Sequence, residues 1–385
     1  MSEAQVTNVR PDSNTNKVVA SERRLKVLQL VDTLDMGGTE RVAVNLANQL
    51  DQLGHQSYLC TTRRDGPLSS MISPKVNRLS LSRRRTIDWK AIKRLRCFVR
   101  DNDIQIVHAH GTSIVTANLA LKWSKSPRIV WHDHFGTNDS SERPLWLYRL
   151  LVRRVSGIVA VSDPLAQWSR RRLKFPKERV WCVPNFVDSI PASHEACLDL
   201  PGQAGSRIVC VANIRPVKDH QTLLSAMSHV IGERADAHLI LVGGLSDDAC
   251  VAAVRHQLQA AGLSDHVTIM GLRDDVPQLL TACDLGVLSS TSEGLPISLL
   301  EYGAAGLAPI VTDVGQCAEV VGDTGRVLPS KSPVEMAEQI LALLNDNDLR
   351  RTLGDRFRER VHQNFGVEPI MKQWTDIYRI VLASK

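Results

Sequence analysis

The sequence predicts an α/β protein made of two doubly wound units, each a parallel sheet with helices on both faces. Short apolar runs alternate with segments of helical periodicity, and this alternation stops once and then restarts. The length of 385 residues suits two domains of ordinary size. Hydrophobic residues make up 43% of the chain and charged residues 23%, which excludes a wholly disordered, collagen-like or coiled-coil protein.

The first unit is predicted over residues 25–190, after a polar tail at 1–24 that lacks the apolar core of a secretory signal. It opens with the strand LKVLQLV, a glycine-rich turn and a helix from about Thr39. Further strands are predicted at 55–62, 104–110, 127–134 and 156–162. The helices between them are expected around 88–100, 112–124, 144–154 and 164–173.

The second unit is predicted over residues 206–365, after a linker at 191–205 that has little periodicity. Its strands are expected at 206–213, 237–244, 266–271, 285–290 and 308–313. Its helices are expected at about 219–231, 247–261, 275–282, 296–305 and 334–345. The segment 366–385 is predicted as a helix that can cross back to the first unit. Two Rossmann-like units facing a cleft are therefore the predicted architecture.

Cysteine usage and charge indicate where such a protein works. The eight cysteines are scattered without a C-x-x-C pair, and no apolar run reaches the roughly 18–20 residues of a membrane span, so a cytoplasmic protein with reduced thiols is expected. Residues 1–190 carry 31 Lys/Arg against 17 Asp/Glu, whereas the remainder is acidic. This asymmetry indicates an anionic partner for the first half, or merely a solvated basic surface.

Ligands of doubly wound sheets bind where parallel strands end, so the strand-end loops are the places to search. The first such loop, D-M-G-G-T-E at 35–40, ends in a helix start whose free N–H groups suit an anion. Gly37 and Gly38 are expected to take backbone angles closed to other residues and to let a ligand approach. An ordinary tight turn explains the same pair, and G-x-G-x-x-G is absent.

Two His-x-His sequences close neighbouring predicted strands, His108/His110 and His132/His134. Alternate residues of a strand point to one face, so each pair can converge on one spot. Metal binding, a polar orienting role at the cleft and a purely structural role are all open at this point.

Two further loops follow strands of the second unit. Arg215 and Lys218 can present two cations to one diphosphate, although paired surface cations usually only solvate. In S-S-T-S-E-G-L-P-I-S-L-L-E (289–301), Glu293 lies in a strand-end loop and Glu301 lies on the helix that follows. Because Glu301 stands in an apolar run, its carboxylate needs a partner, such as a pair of ribose hydroxyls.

These residues together resemble the retaining glycosyltransferases of family four, the glycosyl transferases of group one, which have the GT-B fold. The resemblance covers about residues 25–365 and is strongest over 266–321, where two glutamates are separated by seven residues. Supporting pieces are V-P-N-F-V-D, V-A-N-I-R-P-V-K-D-H and L-I-L-V-G-G. Tyr302 and Cys317 depart from the family pattern, which has small residues there, and this bears on substrate detail.

The resemblance implies a role for each motif. The donor diphosphate would contact six residues of three loops, Gly37, Gly38, Arg215, Lys218, Gly294 and Leu295. Glu301 would bind the donor ribose and Glu293 the hydroxyls of the transferred sugar. His132 is the expected catalytic histidine, and His134 is the alternative because the H-D-H spelling leaves the register open.

The implied reaction moves a sugar from a UDP- or GDP-linked donor to a hydroxyl of a saccharide or lipid-linked acceptor, in surface polysaccharide or lipid-linked saccharide synthesis. No metal or other cofactor is expected, because fixed cations and helix N-termini neutralise the leaving group. The alternatives are a nucleotide-sugar epimerase or other non-transferring GT-B enzyme and, more distantly, a metal-dependent hydrolase built on the His-x-His pairs.

The basic first half has its own interpretation. The segment 88–100 places Trp89, Ile92, Leu95 and Phe98 near one helical face among five cations, so it can lie on an anionic membrane at the inner face. A helix packed on the sheet explains the same pattern. Nucleic acid is not expected as a partner, because no aromatic platform accompanies the basic runs.

Overall fold

A computed structural model describes residues 24–85, 87–121, 127–134, 144–188, 199–245 and 247–384. The predicted tail therefore lies outside the described residues apart from Arg24, as does the linker up to residue 198. Two parallel sheets form the frame, one of seven strands and one of six. Each carries its helices on both faces, because a connection between parallel strands must run back over one face of the sheet, and the face used changes where the strand order reverses.

The first sheet has the strand order β3-β2-β1-β4-β5-β6-β7. Its strands are β1 (Lys26–Val31), β2 (Gln56–Thr61), β3 (Asn77–Ser80), β4 (Ile106–His110), β5 (Arg128–Asp133), β6 (Gly157–Ala160) and β7 (Val180–Cys182). Its helices are α1 (Gly38–Gln52), α2 (Trp89–Asp101), α3 (Ile114–Ala120), α4 (Leu145–Leu151) and α5 (Asp163–Arg171). The strand order reverses between β1 and β4, and this switch point opens toward the cleft.

The second sheet repeats the pattern with the order β10-β9-β8-β11-β12-β13. Its strands are β8 (Arg207–Val211), β9 (His238–Val242), β10 (Val267–Gly271), β11 (Leu285–Leu288), β12 (Ala308–Thr312) and β13 (Arg326–Leu328). Its helices are α6 (His220–Glu233), α7 (Asp248–Ala260), α8 (Val276–Thr281), α9 (Ile297–Ala305), α10 (Cys317–Val321), α11 (Pro333–Asn345) and α12 (Asn347–Phe365).

The last helix, α13 (Val367–Ala383), packs on the first sheet and not on the second. Ile370, Trp374 and Tyr378 are buried in one apolar cluster with Val27 of β1 and Val130 of β5. This segment was predicted as a helix, and its apolar face covers the first sheet beside α1.

Three short strands and two helices were not predicted from the sequence. Strands β3, β7 and β13 have only three or four residues each, too few to show a period. Helix α12 is long but highly charged. Its large buried apolar side chains, Leu353, Phe357 and Val361, form a single row along the helix. It packs on α9 where Gly303 leaves room, because a Cβ there would lie 2.4 Å from Val361 Cγ2.

The segment before the second sheet is not a loose linker where the structure describes it. Val183 and Phe186 are buried in the cluster beneath α13. Leu200 is buried in the core of the second unit, and the Gly205 amide donates to Asp284 at 2.9 Å. These contacts fix both ends of a stretch whose composition alone predicts a flexible connection.

The apolar face of α2 packs inside the protein. Ile92 and Leu95 are buried against the first sheet, and only Trp89, at the start of the helix, is 72% exposed. Of the two interpretations of this segment, the packed helix is the observed one. The seven described cysteines are all free.

Candidate active site

A cleft of ≈ 370 Å³ lies between the two units at the ends of their strands, within the range of about 300–1,000 Å³ of small-molecule sites. Nine of the ten predicted site residues line it: Gly37, Gly38, His134, Arg215, Lys218, Glu293, Gly294, Leu295 and Glu301. The tenth, His132, is buried and lies outside the lining. Motifs more than 250 residues apart in sequence therefore meet in one place.

The loop after β1 brings the start of helix α1 into the cleft. Gly37 is the N-cap, with an extended backbone at φ −138°, and neither Gly37 nor Gly38 has a positive φ. The prediction of backbone angles closed to other residues is therefore wrong for this pair. A Cβ on Gly37 would lie 2.3 Å from Glu40 Oε2, the movable end of a side chain, so a larger residue there would require Glu40 to shift. The free amides of the 15-residue helix remain suited to an anion.

Lys218 reaches the cleft from the loop after β8 and forms an ion pair with Glu293. Its Nζ lies 2.5 Å from Glu293 Oε1, and Ser290 Oγ donates to the same oxygen at 2.6 Å. The loop itself is fixed by the Thr291 amide, which donates to the Val217 carbonyl at 2.8 Å. The pair is largely buried, with Glu293 8% exposed, so each charge compensates the other.

Arg215 lies in the same loop and differs from Lys218 in its surroundings. Among the residues that the structure describes, no ion pair to Arg215 is found within 4.0 Å, although its side chain lines the cleft. Among the residues that the structure describes, four cations and two carboxylates line the cleft: Arg41, Arg215, Lys218, Arg273, Glu293 and Glu301. The positive balance favours an anionic ligand, and Arg215 has the least compensated charge.

The loop from Glu293 to Pro296 leads into helix α9 and has a backing of its own. Gly315 supports it from behind with φ +57°, and a Cβ there would lie 2.3 Å from the Glu293 carbonyl oxygen. The Gln316 amide donates to the Gly294 carbonyl at 3.0 Å. A Cβ on Gly294 would meet nothing within 4 Å, so this side of the loop is open to a ligand.

Glu301, one turn into α9, does have the partner that its apolar setting requires. Arg41 Nη2 from helix α1 lies 3.1 Å from Glu301 Oε1, and both side chains are about 85–90% buried, at 15% and 13% exposed. The sequence prediction had no signal for this contact, because it joins residues 260 positions apart. The pair ties the two units together across the cleft.

The four histidines of the two His-x-His pairs stack against one another beside the cleft. His110 and His132 are register partners on β4 and β5, and the rings of His132 and His134 lie 3.8 Å apart. Burial lowers the pKa of His134 to about 3 and holds the pKa of the other three well below the usual range, with a smaller contribution from neighbouring rings. All four are neutral at physiological pH.

The two candidates for the catalytic histidine differ in depth. His134 lines the cleft, and its Nε2 lies 2.9 Å from His110 Nδ1. His132 lies behind it at 1% exposure, with no hydrogen-bond partner for either ring nitrogen among the described residues. Of these two histidines, His134 is the one placed to contact a ligand, because it lines the cleft and His132 does not.

Ring nitrogens of His108, His110 and His132 lie within 4.8 Å of one another, a separation that can accommodate a metal ion. The ring orientations do not suit one. His108 and His110 are stacked at 4.4 Å with 21° between their planes, so their in-plane lone pairs lie in nearly parallel planes that do not meet close to both rings. Both ring nitrogens of His110 are already used, by His134 and by Gln29 at 2.8 Å. This geometry speaks against the hydrolase alternative.

The two departures from the family pattern are accommodated inside the second unit. Tyr302 is fully buried, and its hydroxyl accepts from the Val211 amide at 2.7 Å. The ring fills the space left by Gly286, where a Cβ would lie 2.4 Å from it. Cys317 is also buried. Neither residue reaches into the cleft, so both differences belong to the packing behind it.

Sequence reasoning missed Arg41, Arg273 and Asn213. Arg273 lines the cleft and pairs with Asp275. Asn213 connects the units, because its Nδ2 donates to the Met36 carbonyl at 3.3 Å and its Oδ1 accepts from the Gly244 amide at 2.7 Å. Arg41 and Asn213 could have been selected from their places in the sequence. Arg41 directly follows the motif D-M-G-G-T-E, and Asn213 lies within V-A-N-I-R-P-V-K-D-H.

Two facing doubly wound units, with cations and a glutamate-bearing helix on one side of the cleft and a glycine turn and histidine on the other, define a glycosyltransferase of the GT-B class. Residues 36–189 match the family model for glycosyltransferase family 4, and residues 205–346 match the one for glycosyl transferases group 1. The chain belongs to this family, whose members retain the anomeric configuration of the transferred sugar.

Relatives and solved structures agree with this assignment. N-acetyl-alpha-D-glucosaminyl L-malate synthase of Bacillus anthracis is 27% identical over 369 residues, which are 90% of this chain and 95% of the relative. UDP-Gal:alpha-D-GlcNAc-diphosphoundecaprenol alpha-1,3-galactosyltransferase of Escherichia coli is 20% identical, over 96% of this chain and 100% of the relative. The structure of Anabaena Alr3699/HepE with UDP and glucose superposes with a TM-score of 0.78 at 18% identity, covering 92% of this chain and 99% of that one.

Among the described residues, the structure has no helix of the length and apolarity that a bilayer crossing requires.

Proposed function

We propose that this glycosyltransferase uses a UDP-linked sugar as its donor and a saccharide as its acceptor. The observation that carries the proposal is the meeting of Arg215, Lys218 and the start of α1 in one cleft that also contains Glu301. A nucleoside diphosphate offers a charged group for the first set and a ribose for the glutamate. UDP is the nucleotide bound in the Anabaena structure and contained in the donor that the Escherichia coli relative's name prints.

The diphosphate is the part of the donor that the cations recognise. Arg215 can hold two phosphate oxygens with its planar fork, and Lys218 contributes a point charge once phosphate competes with Glu293. As the bond between sugar and phosphate breaks, negative charge grows on the leaving diphosphate. These cations and the amides of α1 and of the loop at Gly294 stabilise that charge.

The remaining groups hold the two sugars. Glu301 accepts hydrogen bonds from the ribose hydroxyls, and Arg41 holds its carboxylate in place. Glu293 and His134 face the transferred sugar from opposite units, Glu293 as an acceptor for its hydroxyls and His134 as a neutral polar group. The acceptor hydroxyl then attacks from the face that the diphosphate leaves, which retains the anomeric configuration.

Nucleotide binding tests the donor assignment. Calorimetric titration with UDP, GDP and ADP should give the tightest binding for UDP, and Lys218→Ala should weaken it, because one phosphate cation is lost. The exposed Arg255 of α7 provides a control, since Arg255→Ala should leave the affinity unchanged. Tighter binding of GDP would assign the donor to the guanine series and overturn the UDP part of the proposal.

Product analysis separates transfer from the epimerase alternative. With a UDP-sugar and a mixture of saccharide acceptors, a transferase releases UDP in step with a new glycoside. An epimerase would instead yield an isomeric UDP-sugar and no free UDP. Glu301→Gln should slow transfer while leaving the fold intact, because the amide cannot accept from both ribose hydroxyls.

A lipid-linked acceptor is the second element of the proposal, with the protein bound peripherally at an anionic inner membrane face. Helix α4 supports this, because Trp146 and Leu150 lie one turn apart and are 71% and 53% exposed. Arg149, Arg153 and Arg154 are exposed beside them, in the half of the chain with the large excess of cations. Apolar anchors ringed by cations match a surface of anionic lipids.

Vesicle binding tests this face. The protein should sediment together with phosphatidylglycerol vesicles. The double variant Trp146→Ser/Leu150→Ser should remain in the supernatant. Leu53→Ser is the matched control, because Leu53 is also 53% exposed and lies on the end of another helix. Arg83, a cation of the same half, is only 7% exposed and pairs with Asp32, so its charge is not expected to contribute. Equal retention by both variants would overturn the assignment of α4.

A further inference from the structure

A chain of buried polar groups runs from the cleft histidine to the C-terminal helix. His134 Nε2 lies 2.9 Å from His110 Nδ1, and His110 Nε2 lies 2.8 Å from Gln29 Oε1 on β1. Gln29 Nε2 lies 3.5 Å from the Tyr378 hydroxyl of α13, which lies 2.7 Å from His108 Nδ1. Apart from His134, which lines the cleft, every member is at most 2% exposed, so water does not compete for these contacts.

The carboxamide of Gln29 gives this chain a direction. Its oxygen can only accept, so the proton between Gln29 and His110 must sit on His110 Nε2. A neutral imidazole carries one proton, and burial keeps His110 neutral, so His110 Nδ1 is an acceptor. The proton of the next contact therefore belongs to His134 Nε2. At the other end, the Gln29 amide donates to the Tyr378 oxygen, which donates in turn to His108 Nδ1.

We propose that Gln29, His110 and Tyr378 are positioning residues that fix His134 in one tautomer, with its Nε2 protonated and its Nδ1 presented to the cleft as a hydrogen-bond acceptor. The acceptor is suited to a hydroxyl group of the transferred sugar. This inference rests on the proposed function for the identity of the ligand. The tautomer itself is a property of the free protein and can be measured without any substrate.

The consequence for the reaction is a fixed orientation rather than a proton transfer. A histidine with two accessible tautomers offers the cleft a donor part of the time and an acceptor the rest, so the direction of its hydrogen bond to a sugar hydroxyl is not fixed. Buried carbonyl and carboxylate groups orient active-site imidazoles in the same way. They bond one ring nitrogen and thereby fix the protonation of the other. Here the partner is another histidine, and the outermost anchor is a tyrosine more than 240 residues away in sequence.

Nitrogen-15 NMR of histidine-labelled protein tests the tautomer directly. In the unaltered protein, His134 should show a protonated Nε2 and an unprotonated Nδ1. Tyr378→Phe removes the hydroxyl that holds the Gln29 amide, so His110 and His134 should become mixtures of both tautomers. Tyr58→Phe is the matched control, because Tyr58 is also buried, and its hydroxyl bonds only Gln56, at 3.4 Å. A mixture in the unaltered protein, or no change in Tyr378→Phe, would overturn the proposal.

Gln29→Glu should reverse the tautomer of His134. It therefore tests the proposal independently of Tyr378→Phe. A carboxylate at this position stabilises the imidazolium of His110, whose Nδ1 proton is then donated to His134 Nε2. His134 should switch to the Nδ1-protonated form. The NMR signals of His134 should therefore show a mixture of tautomers in Tyr378→Phe and a complete switch in Gln29→Glu, and a general loosening of the core would not produce the complete switch.

Kinetics separate this positioning role from the donor site. Tyr378→Phe should lower kcat roughly tenfold, the equivalent of about 1.4 kcal/mol, and leave the dissociation constant for UDP unchanged, because the diphosphate is held by other groups. If UDP does not bind to the unaltered protein, the proposed function fails while the tautomer measurement still stands. If UDP binds and the tyrosine variant keeps full kcat, the positioning role is wrong.

Discussion

The two halves of the cleft use different chemistry. The half from the second unit has charged side chains held in pairs, as with Lys218 and Glu293. The half from the first unit has neutral histidines buried in a stack, and Arg41 is the one cation of this unit among the described residues that line the cleft. A diphosphate needs compensating charge, whereas a neutral sugar needs directed hydrogen bonds. The difference therefore assigns binding strength to one half and orientation to the other.

The largest expected effect separates these two roles. Lys218→Ala should lower kcat/KM by about 100- to 1,000-fold, as for the loss of one group that stabilises developing charge, and should weaken UDP binding in parallel. His134→Ala should lower kcat and leave UDP binding unchanged. Calorimetry and initial rates on both variants provide the measurement. Equal loss of UDP affinity in the two variants would contradict the division between the halves.

The buried histidines should make stability depend on pH. They are neutral in the folded protein, because burial lowers their pKa, to about 3 for His134. In the unfolded chain they bind protons below about pH 6.5, so lowering the pH favours unfolding by about 1.4 kcal/mol per pH unit for each one. The contribution is complete above pH 6.5 and is lost as pH falls toward the folded pKa.

Thermal unfolding between pH 7 and pH 5 checks this dependence. Tm should fall over that interval, and His132→Leu should make the fall shallower by one histidine's share, about 2 kcal/mol at pH 5. His132 is the suitable position, because neither of its ring nitrogens has a partner to lose among the described residues. A Tm that is flat with pH would show that the stack is not neutral and buried.

The ion pair between the halves should have a smaller effect. Arg41→Met leaves the largely buried Glu301 carboxylate without its cation, so the free energy of unfolding should fall by about 1–2 kcal/mol. Urea denaturation measures it. Arg64→Met is the control, since the pair of Arg64 and Asp35 is 71% and 43% exposed and should contribute almost nothing. Adding Glu301→Gln to Arg41→Met should restore part of the loss.

The smallest expected effect lies behind the charged half. Tyr302→Phe removes the hydroxyl that accepts from the Val211 amide at the end of β8, which should cost about 0.5–1.5 kcal/mol in urea denaturation. Because Val211 lines the cleft, a measurable loss of UDP affinity in this variant would show that strand packing reaches the donor site. Unchanged stability would mean that water replaces the hydroxyl.

Much of the fold could be predicted because it depends on local patterns. Apolar runs separated by turns and by segments of helical periodicity mark the ten predicted strands, and nine of the ten residues predicted at or just after strand ends line the cleft. The rest depends on contacts that no local pattern encodes. Helix α12 was missed because its narrow apolar stripe becomes recognisable only against α9, which packs on it at Gly303.

Two features of the site illustrate the same limit. The spacing of His132 and His134 shows that both point to one face of β5, but not which of them reaches the cleft, because that depends on how deeply α13 covers the strand. Arg41 resembles any helix-surface cation in the sequence. Only the approach of α9 from the second unit gives it a partner.

The position of helix α13 also affects the order in which parts of the chain can fold during translation. Trp374 lies 4.7 Å from His108 and 5.0 Å from His132, ring centre to ring centre, so it covers strands that the ribosome has completed more than 240 residues earlier. In the nascent chain, the part of this face that α1 does not cover therefore stays exposed while the whole second unit is translated. That interval exposes the growing chain to aggregation, and the arrival of α13 ends it by closing the face and completing the cleft histidine's surroundings together.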